Sequence, residues 1–125
     1  MDIQQTLGKA RQLVEAGNND KARMVLLELL KQEPENQAAM LILGGSYFAC
    51  GRYDDAEMVF ERLVLLSPGS GKISIALFNT LWKLERQQEA LEEIGRFMRS
   101  ADPDGEYETI EQYQAIAKAI EQGEI

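Results

Sequence analysis

Apolar residues recur along this chain every three or four positions, and they do so in paired blocks. Ile3, Leu7, Ala10 and Val14 make one stripe at helical spacing; Ala22, Leu26, Leu29 and Leu30 make the next. Each block predicts a pair of helices, the first ending at a turn and the second near a proline. Turns are expected near Gly17, Pro34, Gly51, Ser70, Arg86 and Pro103. Asn36 and Ser70 stand just before helical blocks, where their side chains can accept from free backbone N–H groups. Asp54 followed by Glu57 reads as a capping box opening a helix. The tail continues the pattern: Tyr107, Ile110, Tyr113, Ile116, Ala117 and Ile120 share one face, with Gly123 as a C-cap. Seven helices are expected, and any β-sheet would contradict the assignment.

The blocks repeat. Gly17 and Gly51 are 34 residues apart, as are Ala22 and Ala56, Ala56 and Ala90, and Pro34 and Pro68; Pro103 follows Pro68 by 35. "GNNDKARMVLLELLKQEP" therefore lies over "GRYDDAEMVFERLVLLSP", with "ERQQEALEEIGRFMRSADP" as a third unit one residue longer. A period of this length marks stacked supersecondary units that bury a core only together. Gly51 is expected to permit a turn, and Gly44 with Ala56 to let two helix backbones approach closely. Glu85 replaces the turn glycine in the third unit and is expected to keep a negative φ.

The pattern resembles the tetratricopeptide repeat. Leu43, Gly44, Tyr47, Gly51, Tyr53, Ala56, Phe60 and Pro68 fall where that family places such residues. Met40 stands where the family prefers tryptophan. The third repeat keeps Leu77 and Ala90, and the first keeps Gly17, Ala22 and Pro34. The resemblance implies a right-handed superhelix, an α-solenoid forming a single domain over residues 1–125. Its repeats are 3–36, 37–70 and 71–104, and a capping helix covers 105–123.

Composition narrows the function. The chain has 125 residues, a net charge of −8 and 45% apolar residues, which fits a soluble globular protein. The acidic balance argues against nucleic acid or an anionic membrane as partner. A signal peptide and a bilayer-spanning segment are both missing from the sequence pattern, so a cytoplasmic protein is expected. There is no histidine and one cysteine, Cys50. No catalytic site, metal site or cofactor is expected, and Cys50 is read as a small buried apolar residue. "GGSYFACG" lacks the strand and the Gly-Lys-Ser/Thr ending of a phosphate-binding loop.

In the resembled family, partners usually bind a concave groove lined by the first helix of each pair. The positions this implies here include Leu7, Arg11 and Val14, then Leu41, Gly45 and Phe48, then Lys72, Ile75, Asn79, Trp82 and Lys83. Leu7, Leu41, Phe48, Ile75 and Trp82 are expected to form an apolar floor, with Arg11, Lys72 and Lys83 near the rim. One subfamily clamps the C-terminal carboxylates of heat-shock chaperones; its key positions hold Leu7, Arg11, Ile42, Lys72 and Ala76 here, and only Lys72 matches. The expectation is an adaptor or chaperone that binds another protein or peptide. The alternative is an acidic inhibitor or immunity protein that meets a basic partner through its outer surface. Met24, Leu27 and Met58 replace polar residues on the second helices and suggest a homodimer patch.

Overall fold

The structure is a computed structural model and describes residues 1–124. Within them seven helices follow one another: α1 (Ile3–Glu15), α2 (Asn19–Gln32), α3 (Gln37–Ala49), α4 (Tyr53–Leu66), α5 (Gly71–Lys83), α6 (Gln87–Ser100) and α7 (Tyr107–Glu121). No strand occurs among the described residues. Each helix packs against the next up to α6, and α7 packs on α5. The odd-numbered helices also touch one another, α1 with α3, α3 with α5 and α5 with α7, whereas no comparable packing joins the even-numbered ones. An array whose odd helices crowd together and whose even helices splay apart curves toward the odd side. The odd helices therefore line its concave face.

Two apolar clusters hold the array. Leu7, Ala10, Leu26, Leu29, Ala39 and Leu43 form one; Met40, Phe60, Leu63, Ile73, Leu77, Phe78, Leu81, Phe97 and Tyr113 belong to the other. Gly44 makes room for a side chain and not, as expected, for the backbone at Ala56: a Cβ placed there would fall on the Phe60 ring. Gly44→Ala should therefore destabilise the fold by about 1–3 kcal/mol through overpacking, despite the better helix propensity of alanine. Urea denaturation checks this, and Phe60→Leu in the same chain should recover part of the loss.

Both expected polar caps form. Asn36 Oδ1 accepts from the Ala39 N–H at 2.9 Å, and Ser70 Oγ from the Ile73 N–H at 3.4 Å. The capping box at Asp54 does not. Helix α4 starts two residues earlier, with Arg52 at its N-cap and no side-chain cap. The reason lies in the preceding turn. The Gly51 N–H donates to Phe48 O and the Arg52 N–H to Tyr47 O, a Schellman pair that delivers the chain directly into the next helix. Arg52 then reaches its own first turn, Nε to Asp55 at 2.8 Å, and Arg86 does the same with Glu89 at the start of α6. The carboxylates sit beside the positive end of each helix.

The same turn recurs with Gly17 (φ +78°), Gly51 (+74°) and Gly123 (+72°), and it recurs at Glu85, whose φ is +61°. Glu85 thus departs from the negative φ expected of it. The Glu85 N–H donates to Trp82 O and the Arg86 N–H to Leu81 O, so hydrogen bonding and helix reversal dictate the left-handed conformation whatever the residue. A non-glycine residue there costs about 1–2 kcal/mol. Glu85→Gly should raise stability by about 1 kcal/mol, read as a shift in the denaturation midpoint. Gly51→Ala should lower it by a similar amount.

The last helix occupies the place of a fourth odd helix. Tyr113 follows Phe78 by 35 residues and, like Phe78, is buried. This register accounts for a departure from the expected stripe: Tyr107 is 55% exposed and Ala117 is also exposed, because both continue the open side of the odd helices. Tyr113, Ile110 and Ile116 make the contact with the core.

Candidate functional site

The concave face is built on α1, α3 and α5, whose exposed positions follow helical spacing. On α3 they are Leu41, Gly45 and Phe48; on α5 they are Lys72, Ile75, Asn79, Trp82 and Lys83. Leu41, Phe48, Ile75 and Trp82 are half-buried, each packed on the core with one side open, and Gly45, Lys72, Asn79 and Lys83 are exposed. A cleft of about 160 Å³ opens between α3 and α5, lined by Gly45, Phe48, Phe60, Ala76 and Asn79. Nothing lies within 4 Å of a Cβ placed on Gly45, so the missing side chain is open space.

The aromatic pair is held from behind. Phe48 meets Tyr53 edge-on with centroids 5.2 Å apart, and Trp82 stacks on Phe78 at 5.6 Å with an interplanar angle of 22°. Phe78 in turn contacts Tyr113 at 5.6 Å. Each groove aromatic therefore has its rotamer restricted by a ring beneath it while offering its other side to solvent.

Leu7 is a correction. It is only 3% exposed and belongs to the core beside Leu26 and Leu43, so it offers no groove floor. On α1, Arg11 is exposed and Val14 half-buried, and both remain on the open face. Ala76 and Phe60 also line the cleft, although the sequence marks Ala76 only as a clamp position and Phe60 only as a repeat residue. Ala76 lies one turn before Asn79 on the same face, and Phe60 enters from α4 because Gly44 leaves its ring room.

Cys50 is the second correction: it is exposed. It ends α3 at the C-cap, with the Arg23 Nη1 3.3 Å from its sulfur. Arg23 itself is buried, donating to Ser46 Oγ at 3.0 Å and pairing with Asp20 at 2.6 Å, while its guanidinium lies 5.3 Å from the Tyr47 ring centroid.

A second buried polar group fastens α7. Arg96 grips Glu93 with two bonds of 2.6 Å, Nε to Oε1 and Nη2 to Oε2. Ser74 Oγ lies 2.6 Å from both Glu93 Oε2 and the Tyr113 hydroxyl. Ser74 has one proton, which goes to the carboxylate, so Tyr113 donates to Ser74. Burial pushes the Tyr113 hydroxyl well above the usual tyrosine range, more than the Ser74 bond lowers it. The folded state therefore holds this proton while the unfolded chain releases it above about pH 10. Stability is fully present below that pH and falls as pH rises past it. Tyr113→Phe should flatten the fall, as seen in denaturation midpoints between pH 9 and 11.

Among the described residues no group of three potential ligands could hold a metal, and no helix is long and apolar enough to cross a membrane.

An all-helical array of repeated helix pairs with a concave side is the architecture of a helical-repeat protein. The sequence model described as "Tetratricopeptide repeat" matches residues 7–71, and the chain belongs to that family. Among solved structures, the first TPR of Spaghetti (RPAP3) bound to HSP90 peptide SRMEEVD is similar at a TM-score of 0.73 and 18% identity, covering 92% of each chain. A MamA D159K mutant is similar at 0.68 and 23% identity, over 77% of this chain and 53% of that one. A thermophilic TPR protein of Thermus thermophilus, TTC0263, is similar at 0.66 and 22% identity, over 78% and 56%. The chain thus spans little more than half the length of the last two. No curated protein matches it.

Proposed function

We propose that this chain is a non-enzymatic, cytoplasmic adaptor or chaperone that holds a peptide or helical segment of a partner protein in its concave groove. One observation carries the reading. Phe48 and Trp82 stand at the same repeat position on adjacent odd helices, each half-open and each backed by another ring, with an apolar cleft between those helices. Two rigid aromatic anchors on a concave surface are what a binding hot spot requires. The similar RPAP3 domain holding a peptide supports this mode of binding. The groove residues are Arg11, Val14, Leu41, Gly45, Phe48, Lys72, Ile75, Asn79, Trp82 and Lys83. The carboxylate-clamp pattern is not among them.

Capture from a lysate of the source organism tests the proposal when run in parallel on the wild type and on Phe48→Ala/Trp82→Ala. A protein retained by the wild type and lost by the double variant supports the groove. A protein retained equally by both counts against it and favours the acidic outer face.

The homodimer expected through Met24, Leu27 and Met58 is a separate proposal. Met24 and Met58 are each 71% exposed and Leu27 is 45% exposed, on α2 and α4. Sedimentation equilibrium should detect a dimer that Met24→Glu/Met58→Glu dissociates; a concentration-independent monomer mass would refute it.

A further inference from the structure

The chain carries eight more negative than positive charges, yet the helices that carry the groove residues, α1, α3 and α5, have the opposite sign. Helices α1, α3 and α5 together contain four cations, Lys9, Arg11, Lys72 and Lys83, and one carboxylate, Glu15, whereas α7, the fourth odd helix, adds Glu108, Glu111 and Glu121 against Lys118. Helix α3, in the middle, contains no charged residue at all. Of the other nine cations, Lys21, Arg62, Arg99 and Lys118 are likewise in no ion pair among the described residues, and five are tied to the chain's own carboxylates. Arg23, Arg52, Arg86 and Arg96 each grip a carboxylate of the chain, and Lys31 pairs with Glu28. None of the four concave-helix cations forms an ion pair among the described residues.

From the positive balance of α1, α3 and α5 around an apolar floor we infer that the groove takes an acidic amphipathic segment of another protein, apolar at its centre and carrying carboxylates on both flanks. The inference rests on the groove being the binding surface. Lys72 and Lys83 stand on one face of α5, with Ile75 and Trp82 between them, and the eleven-residue separation places them about 16 Å apart along the helix. Two carboxylates about 16 Å apart complement them: roughly three turns of a helical partner, or about five residues of an extended one. Arg11 provides a third contact from α1, with Glu15 one turn away on that helix discriminating against further negative charge at that end. A basic segment would set its charges against three unpaired cations. These contacts are to side-chain carboxylates within a segment, so a free C-terminus is not required. A single rim charge contributes little, whereas reversing all three inverts the sign of the surface.

The test is selection from a displayed library of random 16-residue peptides, run on the wild type and on Trp82→Ala. The expected result is a set of peptides enriched on the wild type, lost on Trp82→Ala, and acidic on both sides of an apolar centre. The best of them, synthesised with an amidated C-terminus, should bind Arg11→Glu/Lys72→Glu/Lys83→Glu more than tenfold more weakly than the wild type, with the helical CD spectrum unchanged. Trp82-dependent peptides that are neutral or basic would overturn the inference and leave the groove in place. So would an acidic peptide whose affinity survives the triple reversal. Enrichment that does not depend on Trp82 would overturn the groove and this inference together.

Discussion

Tyr113→Ala should lower stability by about 3–5 kcal/mol and release α7 from the array. The residue is the largest fully buried side chain. Its ring packs edge-on against Phe97 and tilted against Phe78, both with centroids 5.6 Å away, and its hydroxyl reaches Ser74 and through it Glu93. Truncating a buried aromatic to alanine removes transfer energy and leaves a cavity, which together cost about 3–5 kcal/mol. A domain of this size has only about 5–15 kcal/mol in total. The remaining anchorage of α7 is small: the Gly71 N–H donates to Glu106 at 3.0 Å, and Ile110 and Ile116 are only partly buried. Loss of α7 would uncover Phe78 and Phe97, so the variant should also associate. Tyr113→Phe separates packing from hydrogen bonding and should cost about 1 kcal/mol. Deleting 105–125 should resemble Tyr113→Ala, with a marked fall in melting temperature and aggregation. A monomeric truncation product that melts like the full chain would show that α7 is not a cap.

The repeat architecture was legible because glycine, alanine and proline recur where helices must turn or touch, and that requirement acts within one repeat. Gly51 and the caps at Asn36 and Ser70 could each be read from neighbours a few residues away. What was not legible depends on distant groups or on geometry that overrides residue type. Glu85 looks incompatible with a left-handed turn, but the two hydrogen bonds closing α5 leave the backbone no other route. Asp54 and Glu57 carry a capping signature, yet the tight turn before α4 gives the cap to Arg52 and sends Glu57 to Arg86, 2.6 Å away and 29 residues on. Cys50 follows two aromatic residues and looked buried, but the helix ends there and exposes it. The counter-charges of the buried Arg23 and Glu93, Asp20 and Arg96, stand three residues away, but the burial itself gave no signal, because the serines that complete their hydrogen bonding, Ser46 and Ser74, lie 23 and 19 residues away. Within the groove, the positions implied by the family resemblance lie on the open face of α3 and α5, and the one at Leu7 does not, because α1 turns that position toward α2 and α3.

Trp82→Ala should weaken partner binding at least about thirtyfold while the protein stays folded. Trp82 stacks on Phe78 through one face and is otherwise half-open, so its removal uncovers part of Phe78 without emptying the core. Its indole supplies a large apolar area with little rotamer freedom left to lose on binding, which characterises residues worth about 2 kcal/mol or more in an interface. That energy is about thirtyfold in affinity. Lys83→Ala, one residue along, changes only a rim charge and should alter affinity by a few-fold at most. In the free protein, Trp82 fluorescence should be quenched by acrylamide, and a bound segment should protect it. The decisive measurement is titration calorimetry of a captured partner against the wild type and Trp82→Ala, with far-UV CD on both proteins. A loss of about thirtyfold or more with superimposable CD spectra is the predicted result; equal affinity for the two folded proteins would contradict the concave groove as the binding site.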